Sequence, residues 1–336
     1  MDVILLSFQI PENLWEISRV PHGRIHESYF VKEKSALTPS FVLQKINTHV
    51  FPKWKHALAN FDTVSSFFRK KNPIVPELIR AKTGQFFVEA DGIWRLQRYI
   101  LKSEHFEILP SLKVAKEAGA LLGNFHRRAL LMDISLLKSH VPDFHNTPKH
   151  YRKLKLALCQ PKRHGVLREK LDLAVSRIEE RVPLIHALAN AEKMGILTRT
   201  LCHNDPKLAN MLFEKGSGKG LCLIDWDTLD LGLLPYDFGD AARSLFRNTA
   251  KHFDLYAFES FCGGYLEIME SKLNAATRSF LFVGTKTVTL ELSIRFLTDY
   301  LLENLYFKTS TPHQNLENAL VQQTRLLQME AHEKKG

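Results

Sequence analysis

The sequence predicts an α+β fold of two lobes, with a small strand-rich N-lobe over residues 1–100 and a larger, mainly helical C-lobe over residues 101–336. Short segments bounded by turn residues dominate the first hundred positions, which is typical of strands. From about residue 111 the apolar residues recur at helical spacing. The chain of 336 residues is long enough to bury a substantial core in such a bilobal unit.

Four strands and one helix are predicted in the N-lobe. Residues 51–71 carry apolar side chains near one face of a helix. The Ala-Asp-Gly turn at residues 90–92 closes a hairpin. The strands are predicted over residues 28–31, 41–44, 86–89 and 94–97.

Helices are predicted in the C-lobe over residues 114–131, 147–159 and 167–194, and again from residue 236 onward. The second of these begins with Thr147 as its N-cap and a proline at the first helical position. Asp237 and Asp240 are expected to cap and anchor the helix that begins near residue 236. A hairpin interrupts the helices between residues 201 and 225.

The segment over residues 201–240 carries the polar residues that are most informative about chemistry. Asp205 ends a His-Asn-Asp tripeptide, Asn210 lies five residues later, and Asp225 ends an apolar run. Two apolar stretches flank a turn region with three glycines, which predicts a hairpin whose open ends lie side by side. The hairpin therefore brings Asn210 and Asp225 together.

This pattern suits the transfer of a phosphoryl group from a metal nucleotide to a hydroxyl. Asp205 would orient the hydroxyl and accept its proton, while Asn210 and Asp225 would hold Mg²⁺, which prefers oxygen ligands. The alternative for either piece alone is a loop turn or a strand end, because Asp and Asn are common there. The two pieces together, in this order and around a hairpin, favour a small-molecule kinase.

Composition excludes several other classes of protein. Hydrophobic content of 45% and charged content of 24% are ordinary for a globular chain. The net charge of +10 comes from dispersed basic residues and suits an anionic nucleotide as substrate. The sequence has no recognition motif for nucleic acid, so we expect no nucleic-acid partner. We expect a cytoplasmic protein with no membrane segment, because no apolar run is long enough to span a bilayer. The four scattered cysteines are expected to be free thiols.

The chain resembles the phosphotransferase enzyme family, which contains aminoglycoside phosphotransferases, choline kinases and homoserine kinases and has a bilobal protein-kinase-like fold. The His-Asn-Asp tripeptide, Asn210 and the Ile-Asp-Trp-Asp run at residues 224–227 carry this resemblance. Within the family the chain looks closest to the N-acetylhexosamine 1-kinases. The segments that carry the narrower match are residues 23–29, 43–48, 144–148 and 294–301.

The resemblance implies ATP-dependent phosphorylation of the anomeric C1 hydroxyl of N-acetylglucosamine or N-acetylgalactosamine. It implies that Asp205 is the catalytic base and that Asn210 and Asp225 are the Mg²⁺ ligands. Lys207, two residues past the base, would meet the transferring phosphate and offset its negative charge.

The N-lobe departs from the family pattern. Gln44 stands where a strand lysine normally binds the α- and β-phosphates, and Lys45 beside it is predicted to face the other way. The helix residue that would pair with that lysine is Asp62. The phosphate loop keeps only Gly23, followed by Arg24. We therefore expect a weaker grip on the nucleotide phosphates and the same type of reaction.

Further nucleotide contacts are expected from the segment that connects the lobes, Arg98, Tyr99 and Ile100. The backbone of this segment would hydrogen-bond adenine. For the side chain of Tyr99, packing and nucleotide contact are equally open alternatives.

Candidate acceptor contacts are His145, Asn204, Asp227, Arg295 and Asp299. His145 could contact the sugar or satisfy loop backbone, and Asp227 could equally lie near the metal or near a structural partner. Arg295 and Asp299 share one helical face, where they could line the acceptor pocket or form an exposed ion-pair ladder.

Two rival hypotheses remain. The first is a kinase for another hydroxyl acceptor: choline, homoserine, an aminoglycoside or another hexose. The second is a nucleotide-binding pseudokinase, against which the joint presence of Asp205, Asn210 and Asp225 argues.

Overall fold

A computed structural model of the chain describes residues 1–11, 14–21, 25–160, 167–247 and 252–334. Strands are concentrated in the first lobe and helices in the second, which confirms the predicted α+β class. The helices are α1 (Asp2–Ser7), α2 (Trp54–Arg69), α3 (Leu112–Ala129), α4 (Thr147–Leu158), α5 (Arg168–Glu179), α6 (Val182–Lys193), α7 (Leu234–Ser244), α8 (Leu255–Met269), α9 (Ala275–Leu301) and α10 (Gln314–Glu333). The strands are β1 (Trp15–Arg19), β2 (Glu27–Glu33), β3 (Phe41–Ile46), β4 (Leu78–Ile79), β5 (Val88–Ala90), β6 (Gly92–Arg98), β7 (Ser103–Glu104), β8 (Thr200–Cys202), β9 (Met211–Glu214), β10 (Gly220–Leu223) and β11 (Asp230–Gly232).

The N-lobe sheet is antiparallel, with the strand order β1-β2-β3-β6-β4 and with β5 paired to β6. Because side chains alternate along a strand, the sheet has two distinct faces. Leu43 and Leu96 lie on the face that packs in one apolar cluster with α1. Ile46 lies on the opposite face, in the cluster that contains Leu58 and Phe61 of α2. This second face is the one turned toward the C-lobe.

Helix α2 connects the N-lobe to the segment that follows Asp225. The ring centroids of Phe61 and Trp226 lie 5.3 Å apart, and those of Phe68 and Trp226 lie 6.0 Å apart. Trp226 is only 1% exposed. An apolar contact between the lobes therefore fixes the residue next to the predicted metal ligand.

Close helix packing forms the centre of the C-lobe. Gly264 of α8 lies against α3 so tightly that an added Cβ would come within 1.9 Å of the Lys116 carbonyl oxygen. A second cluster joins α4, α5, α6, α9 and α10. The hairpin that carries the predicted site packs on α3, so the helical lobe supports the site.

The prediction of one long helix over residues 167–194 is wrong. Helix α5 ends at Glu179, and α6 begins at Val182 with Pro183 in its first turn. Proline lacks the N–H that would continue the helical ladder and its ring clashes with the preceding turn, so it starts a new helix.

One other expectation agrees with the structure. All four cysteines are free thiols. Within the described part of the chain, none of the helices has both the length and the apolar character needed to span a bilayer.

Candidate active site

The predicted catalytic loop connects β8 to β9. Asn204 has a positive φ of 66°, and its side-chain amide donates to the Thr228 carbonyl oxygen at 2.8 Å. His203 is fully buried and its Nε2 lies 2.9 Å from the Ile224 carbonyl oxygen. The loop is thus bonded to the hairpin on one side and to the following segment on the other.

The hairpin register brings the two predicted metal ligands to the same end. Met211 of β9 pairs with Leu223 of β10, and the Ile224 N–H donates to the Asn210 carbonyl oxygen at 2.8 Å. Asp225 is the next residue, and it adopts a left-handed backbone with φ 65°. This conformation is strained for a non-glycine residue and clusters at functional sites.

Asp205 and Lys207 are in direct contact at the mouth of this hairpin. The Asn210 amide nitrogen donates to Asp205 Oδ2 at 2.9 Å and to the Asp205 carbonyl oxygen at 2.8 Å. The Lys207 ammonium donates to the same Oδ2. Burial opposes the charge on Lys207, but the carboxylates of Asp205 and Asp225 raise its pKa above the usual value. Lys207 is therefore a cation in the site.

The surroundings of Asp225 disfavour a negative charge on its carboxylate. Burial, together with the negative charge of Asp227, raises the pKa of Asp225 to about 6. A divalent cation would relieve both effects. The donors fit Mg²⁺, because the Asp225 carboxylate and the Asn210 amide oxygen are hard oxygen ligands, and the Asn210 nitrogen is already committed to Asp205.

His26 lies close enough to join this cluster but has other partners. Ligand atoms of His26, Asp225 and Asp227 all lie within 4.8 Å of one another. His26 Nδ1 accepts from the Asn47 backbone N–H at 3.0 Å, which assigns the ring proton to Nε2. Nε2 then donates to Asp227 Oδ2 at 3.2 Å, so we assign His26 to Asp227 and not to the metal.

Asp227 is almost completely buried and is paired with Arg95. The two Arg95 Nη atoms donate to the two Asp227 oxygens, each at 2.5 Å. Burial would raise the pKa of Asp227, but the charge of Arg95 and the hydrogen bond from His26 hold it well below the usual range. This geometry favours the structural partner for Asp227 over either the metal or a substrate contact.

Gln44 lies on the cleft face of the N-lobe sheet, in register with Arg95. Its amide oxygen accepts from Arg95 Nε at 2.9 Å, and its amide nitrogen donates to Ser28 Oγ at 2.9 Å. Lys45 points to the opposite face, as expected, where it pairs with Asp91. Sequence reasoning did not identify Arg95 as a site residue. The feature that could have identified it is a charged residue between Trp94 and Leu96 in a predicted strand.

The prediction that Asp62 pairs with a cation on the cleft strand is wrong. Asp62 lies at the surface, where its Oδ2 is 3.6 Å from Arg80 Nη2. It is therefore not the counter-ion of a cleft cation. The carboxylate that has this role, Asp227, comes from the C-lobe, 132 residues from Arg95 along the chain.

The remaining predicted nucleotide-binding residues differ in their contacts: three lie in the segment that connects the lobes, and two fall outside the described residues. Arg98 is exposed and pairs with Glu77, and the Tyr99 N–H donates to the Ser40 carbonyl oxygen at 2.9 Å. The Tyr99 ring packs edge-on against Phe30 at 5.8 Å, which favours packing for this side chain. The Ile100 carbonyl oxygen accepts from Ser103 Oγ at 2.6 Å. Gly23 and Arg24 lie outside the described residues.

The expectation that Asp237 and Asp240 cap α7 is wrong, because α7 begins at Leu234 and has no side-chain cap; Asp237 instead holds the predicted catalytic loop. Its carboxylate accepts from the backbone N–H groups of His203 and Asn204, both at 2.7 Å, and from His126 Nε2 at 3.1 Å. Burial alone would raise the pKa of Asp237, and the hydrogen bond from His126 lowers it. The signal in the sequence is a lone acid within the apolar start of α7.

His145 supports the same loop from the opposite side. Its Nε2 lies 2.9 Å from the Asn204 carbonyl oxygen and its Nδ1 lies 3.0 Å from Glu291 Oε1. Although burial lowers it, the pKa of His145 is raised overall by the charge of Glu291. An imidazolium would donate from both nitrogens. The structure therefore places His145 as a support of the loop backbone, one of its two predicted alternatives.

Arg295 and Asp299 are both engaged by the loop that follows α9. Asp299 accepts from the backbone N–H groups of Tyr306 and Phe307, at 2.8 and 2.9 Å. It also accepts from the Asn315 amide at 2.9 Å. The Arg295 guanidinium lies 5.8 and 5.7 Å from the rings of Tyr306 and Phe307. This placement favours loop support over the predicted acceptor contacts.

Asp240 and Arg243 form a second polar group of α7 beside the catalytic loop. The two side chains are paired, and Ser244, the next residue, accepts from the Leu208 N–H at 2.8 Å. The negative charge of Asp240 acts on both Lys207 and His145. Within the described residues, Asp240 Oδ2 and Arg243 Nε have no hydrogen-bond partner. Both atoms are buried from solvent, so the pair contains one acceptor and one donor that are left unsatisfied within the described residues.

Comparisons with known proteins agree on one family. A family model described as APH, phosphotransferase enzyme family, matches residues 16–270. The fold is similar to that of an aminoglycoside phosphotransferase from Alicyclobacillus acidocaldarius subsp. acidocaldarius DSM 446, with 10% identity, a TM-score of 0.68, and coverage of 100% of this chain and 96% of that chain. A choline kinase from Cryptosporidium parvum Iowa II is similar at 16% identity and a TM-score of 0.60, with 96% and 91% of the two chains covered.

A third similar structure contains ligands. It is an amicoumacin kinase in complex with AMP-PNP, Ca²⁺ and Ami, with 13% identity, a TM-score of 0.59, and coverage of 96% of this chain and 89% of that chain. At these identities the likeness shows a shared fold.

Proposed function

The chain belongs to the phosphotransferase enzyme family, and on this premise we propose that it is an ATP-dependent kinase for a sugar hydroxyl. The hydroxyl we assign is the anomeric C1 hydroxyl of an N-acetylhexosamine, N-acetylglucosamine or N-acetylgalactosamine. The observation that carries the kinase assignment is the cluster of Asp205, Lys207 and Asn210 at the open end of the β9–β10 hairpin, next to Asp225.

We assign ATP and Mg²⁺ as nucleotide and metal. The AMP-PNP and Ca²⁺ in the similar amicoumacin kinase support this assignment. Asn210 and Asp225 would hold the cation, which supplies charge stabilisation on the phosphates when bound. The nucleotide would lie between the cleft face of the N-lobe sheet and the hairpin.

Asp205 would act as the base for the acceptor hydroxyl. Both Lys207 and Asn210 donate to its Oδ2, so Oδ1 is the oxygen that we assign to the incoming proton. Lys207 holds positive charge beside this carboxylate, and its position suits the developing charge on the transferring group. Asp237 and His145 keep the loop backbone in place from two sides.

The acceptor assignment depends on α7. Asp240 Oδ2 and Arg243 Nε lack hydrogen-bond partners within the described residues and are shielded from solvent, so a ligand reaches them only when α7 or the neighbouring loop shifts on binding. A neutral polyhydroxylated molecule would then satisfy both atoms, because each of its hydroxyls donates and accepts. A quaternary ammonium such as choline would instead require an aromatic cage. The pair therefore supports a sugar acceptor.

An acceptor screen tests the proposal. Nucleotide consumption would be measured with Mg²⁺ATP against N-acetylglucosamine, N-acetylgalactosamine, glucose, galactose, choline, homoserine and kanamycin. We expect turnover with at least one N-acetylhexosamine above the acceptor-free rate. Turnover with choline, homoserine or kanamycin alone would move the protein to the rival acceptor class. Nucleotide binding without turnover on any acceptor would favour the pseudokinase.

A pair of variants links the acceptor to α7. Asp240→Asn should raise the KM for the sugar, while Asp172→Asn on the surface of α5, where Asp172 pairs with Arg168, should leave it unchanged. An unchanged KM in Asp240→Asn would remove α7 from the acceptor site.

A further inference from the structure

Arg95 lies at the centre of the N-lobe sheet and faces the cleft. It occupies β6 directly opposite Gln44 of β3. Its neighbours Trp94 and Leu96 belong to the apolar cluster with α1, so alternation turns Arg95 to the other face. Only 1% of the side chain is exposed.

The guanidinium connects the two lobes. Two of its nitrogens donate to Asp227 and the third donates to Gln44. This bidentate geometry is the strongest form of an arginine–carboxylate pair. A buried charge is stable only when it is paired and hydrogen-bonded in this way. The pair therefore ties the central strands of the N-lobe to the turn that follows Asp225.

The same contacts take up three of the roughly four acceptor positions of the Asp227 carboxylate. Oδ1 accepts from Arg95, and Oδ2 accepts from Arg95 and from His26. The ligand atoms of Asp225 and Asp227 nevertheless lie within 4.8 Å of each other, close enough for one cation to bind both. Arg95 is the group that competes with a cation for both oxygens of Asp227.

The turn after Asp225 is fixed at two successive residues. Trp226 packs against Phe61 of α2, and Asp227 is bound by Arg95 of β6. Both anchors belong to the N-lobe. The carboxylate of Asp225 is thus positioned by contacts from the opposite lobe, with its left-handed backbone held in place.

We propose that Arg95 is a positioning residue of the metal site, which holds Asp227 away from the cation and leaves Asp225 as its single carboxylate ligand. The proposal rests on the proposed function only in assuming that a divalent cation accompanies the nucleotide. One carboxylate and one amide leave most of the octahedral shell of Mg²⁺ to phosphate oxygens and water. A second carboxylate would compete with the nucleotide for these positions.

The test measures metal binding and not turnover. Mn²⁺ would be titrated into the protein with saturating ADP, with calorimetry and the Mn²⁺ electron paramagnetic resonance spectrum as readouts. We expect Arg95→Gln to bind Mn²⁺ about tenfold more tightly, because the released Asp227 adds a charged ligand. The double variant Arg95→Gln/Asp227→Asn should return close to the wild-type affinity. Arg80→Gln, which removes a surface arginine of the same lobe, is the matched control.

Two results would overturn the proposal. One is an unchanged Mn²⁺ affinity in Arg95→Gln, and the other is loss of Mn²⁺ binding in the double variant, which would make Asp227 a ligand. If Arg95→Gln does not fold, the double variant decides alone, since it removes both buried charges together. No acceptor is present in these titrations, so a wrong sugar assignment would not change their outcome.

Discussion

The carboxylate of Asp237 accepts a hydrogen bond of 2.7 Å from the backbone N–H of Asn204, the residue before the proposed catalytic base. Asn204 has a φ of 66°, a left-handed conformation that is uncommon outside glycine and that asparagine adopts more readily than most residues. Asp237 is fully buried and also accepts from the His203 N–H. The position of Asp205 therefore depends on an acid that is itself completely buried.

Asp237→Asn should lower kcat more than it changes the KM values. An amide presents one acceptor oxygen instead of two, so one backbone N–H of the loop loses its partner, at a cost of about 1–3 kcal/mol in stability. The resulting shift of Asp205 should lower kcat by about 100-fold. Steady-state kinetics and urea denaturation measure the two effects. Wild-type kcat in the folded variant would contradict this role.

Lys207→Met should reduce kcat by about 100-fold, because a cation beside the transferring phosphoryl group stabilises its developing charge. Lys207→Arg keeps the charge and should retain more activity than Lys207→Met. Nucleotide dissociation constants from calorimetry separate this effect from binding. Equal kcat values for the two variants would show that the charge of Lys207 is not used in the reaction.

Glu291→Gln should change stability in a pH-dependent manner. The pKa of Glu291, which burial would raise, is lowered from 4.5 to about 2 by His145, and this contribution is present above pH 4.5 and is lost as the pH falls toward 2. The pKa of His145 is raised above 6.5, so its contribution is present below pH 6.5 and is lost as the pH rises through the raised pKa. The stability difference between wild type and variant should thus be greatest between pH 4.5 and 6.5.

Removing one partner of this buried pair should cost about 3 kcal/mol in that window. Urea denaturation at a series of pH values measures it, with Glu169→Gln on the exposed face of α5 as the control. A difference that does not vary with pH would mean that the pair is not ionised.

Gly264→Ala should destabilise the C-lobe by about 1–3 kcal/mol, because the new Cβ would meet backbone of α3 and force the helices apart. Gly263→Ala, one residue earlier in the same helix, has nothing within 4 Å of the new Cβ. It should gain up to about 1 kcal/mol from helix propensity. Thermal denaturation of both variants measures the contrast, and equal midpoints would contradict the close packing of α3 and α8.

The sequence predicted the part of the site that is local in the chain. Asp205, Asn210 and Asp225 are related by one loop and one hairpin, whose turn glycines and apolar stretches are visible in the sequence. The register of β9 and β10 agrees with that prediction. The two-lobe α+β fold could be predicted for the same reason, because the spacing of apolar residues and turn residues that indicates strands and helices is also local in the chain.

The partners formed by long-range packing could not be predicted in this way. Arg95 and Asp227 are separated by 132 residues along the chain and meet only because the tertiary fold brings the two lobes together. Asp62 was chosen as a counter-ion from its helix alone, and the tertiary fold turned it to the surface. Asp299 and Arg295 were correctly placed on one helix, but a later loop covers both.

The most direct test of the central claim is the phosphorus NMR spectrum of the product formed from Mg²⁺ATP and N-acetylglucosamine or N-acetylgalactosamine, by wild type and by Asp205→Asn. Wild type should give a phosphate resonance coupled to the anomeric proton, and Asp205→Asn should give none while still binding ADP in calorimetry. Equal yields of the C1 phosphate from both proteins would contradict the assignment of Asp205 as the base.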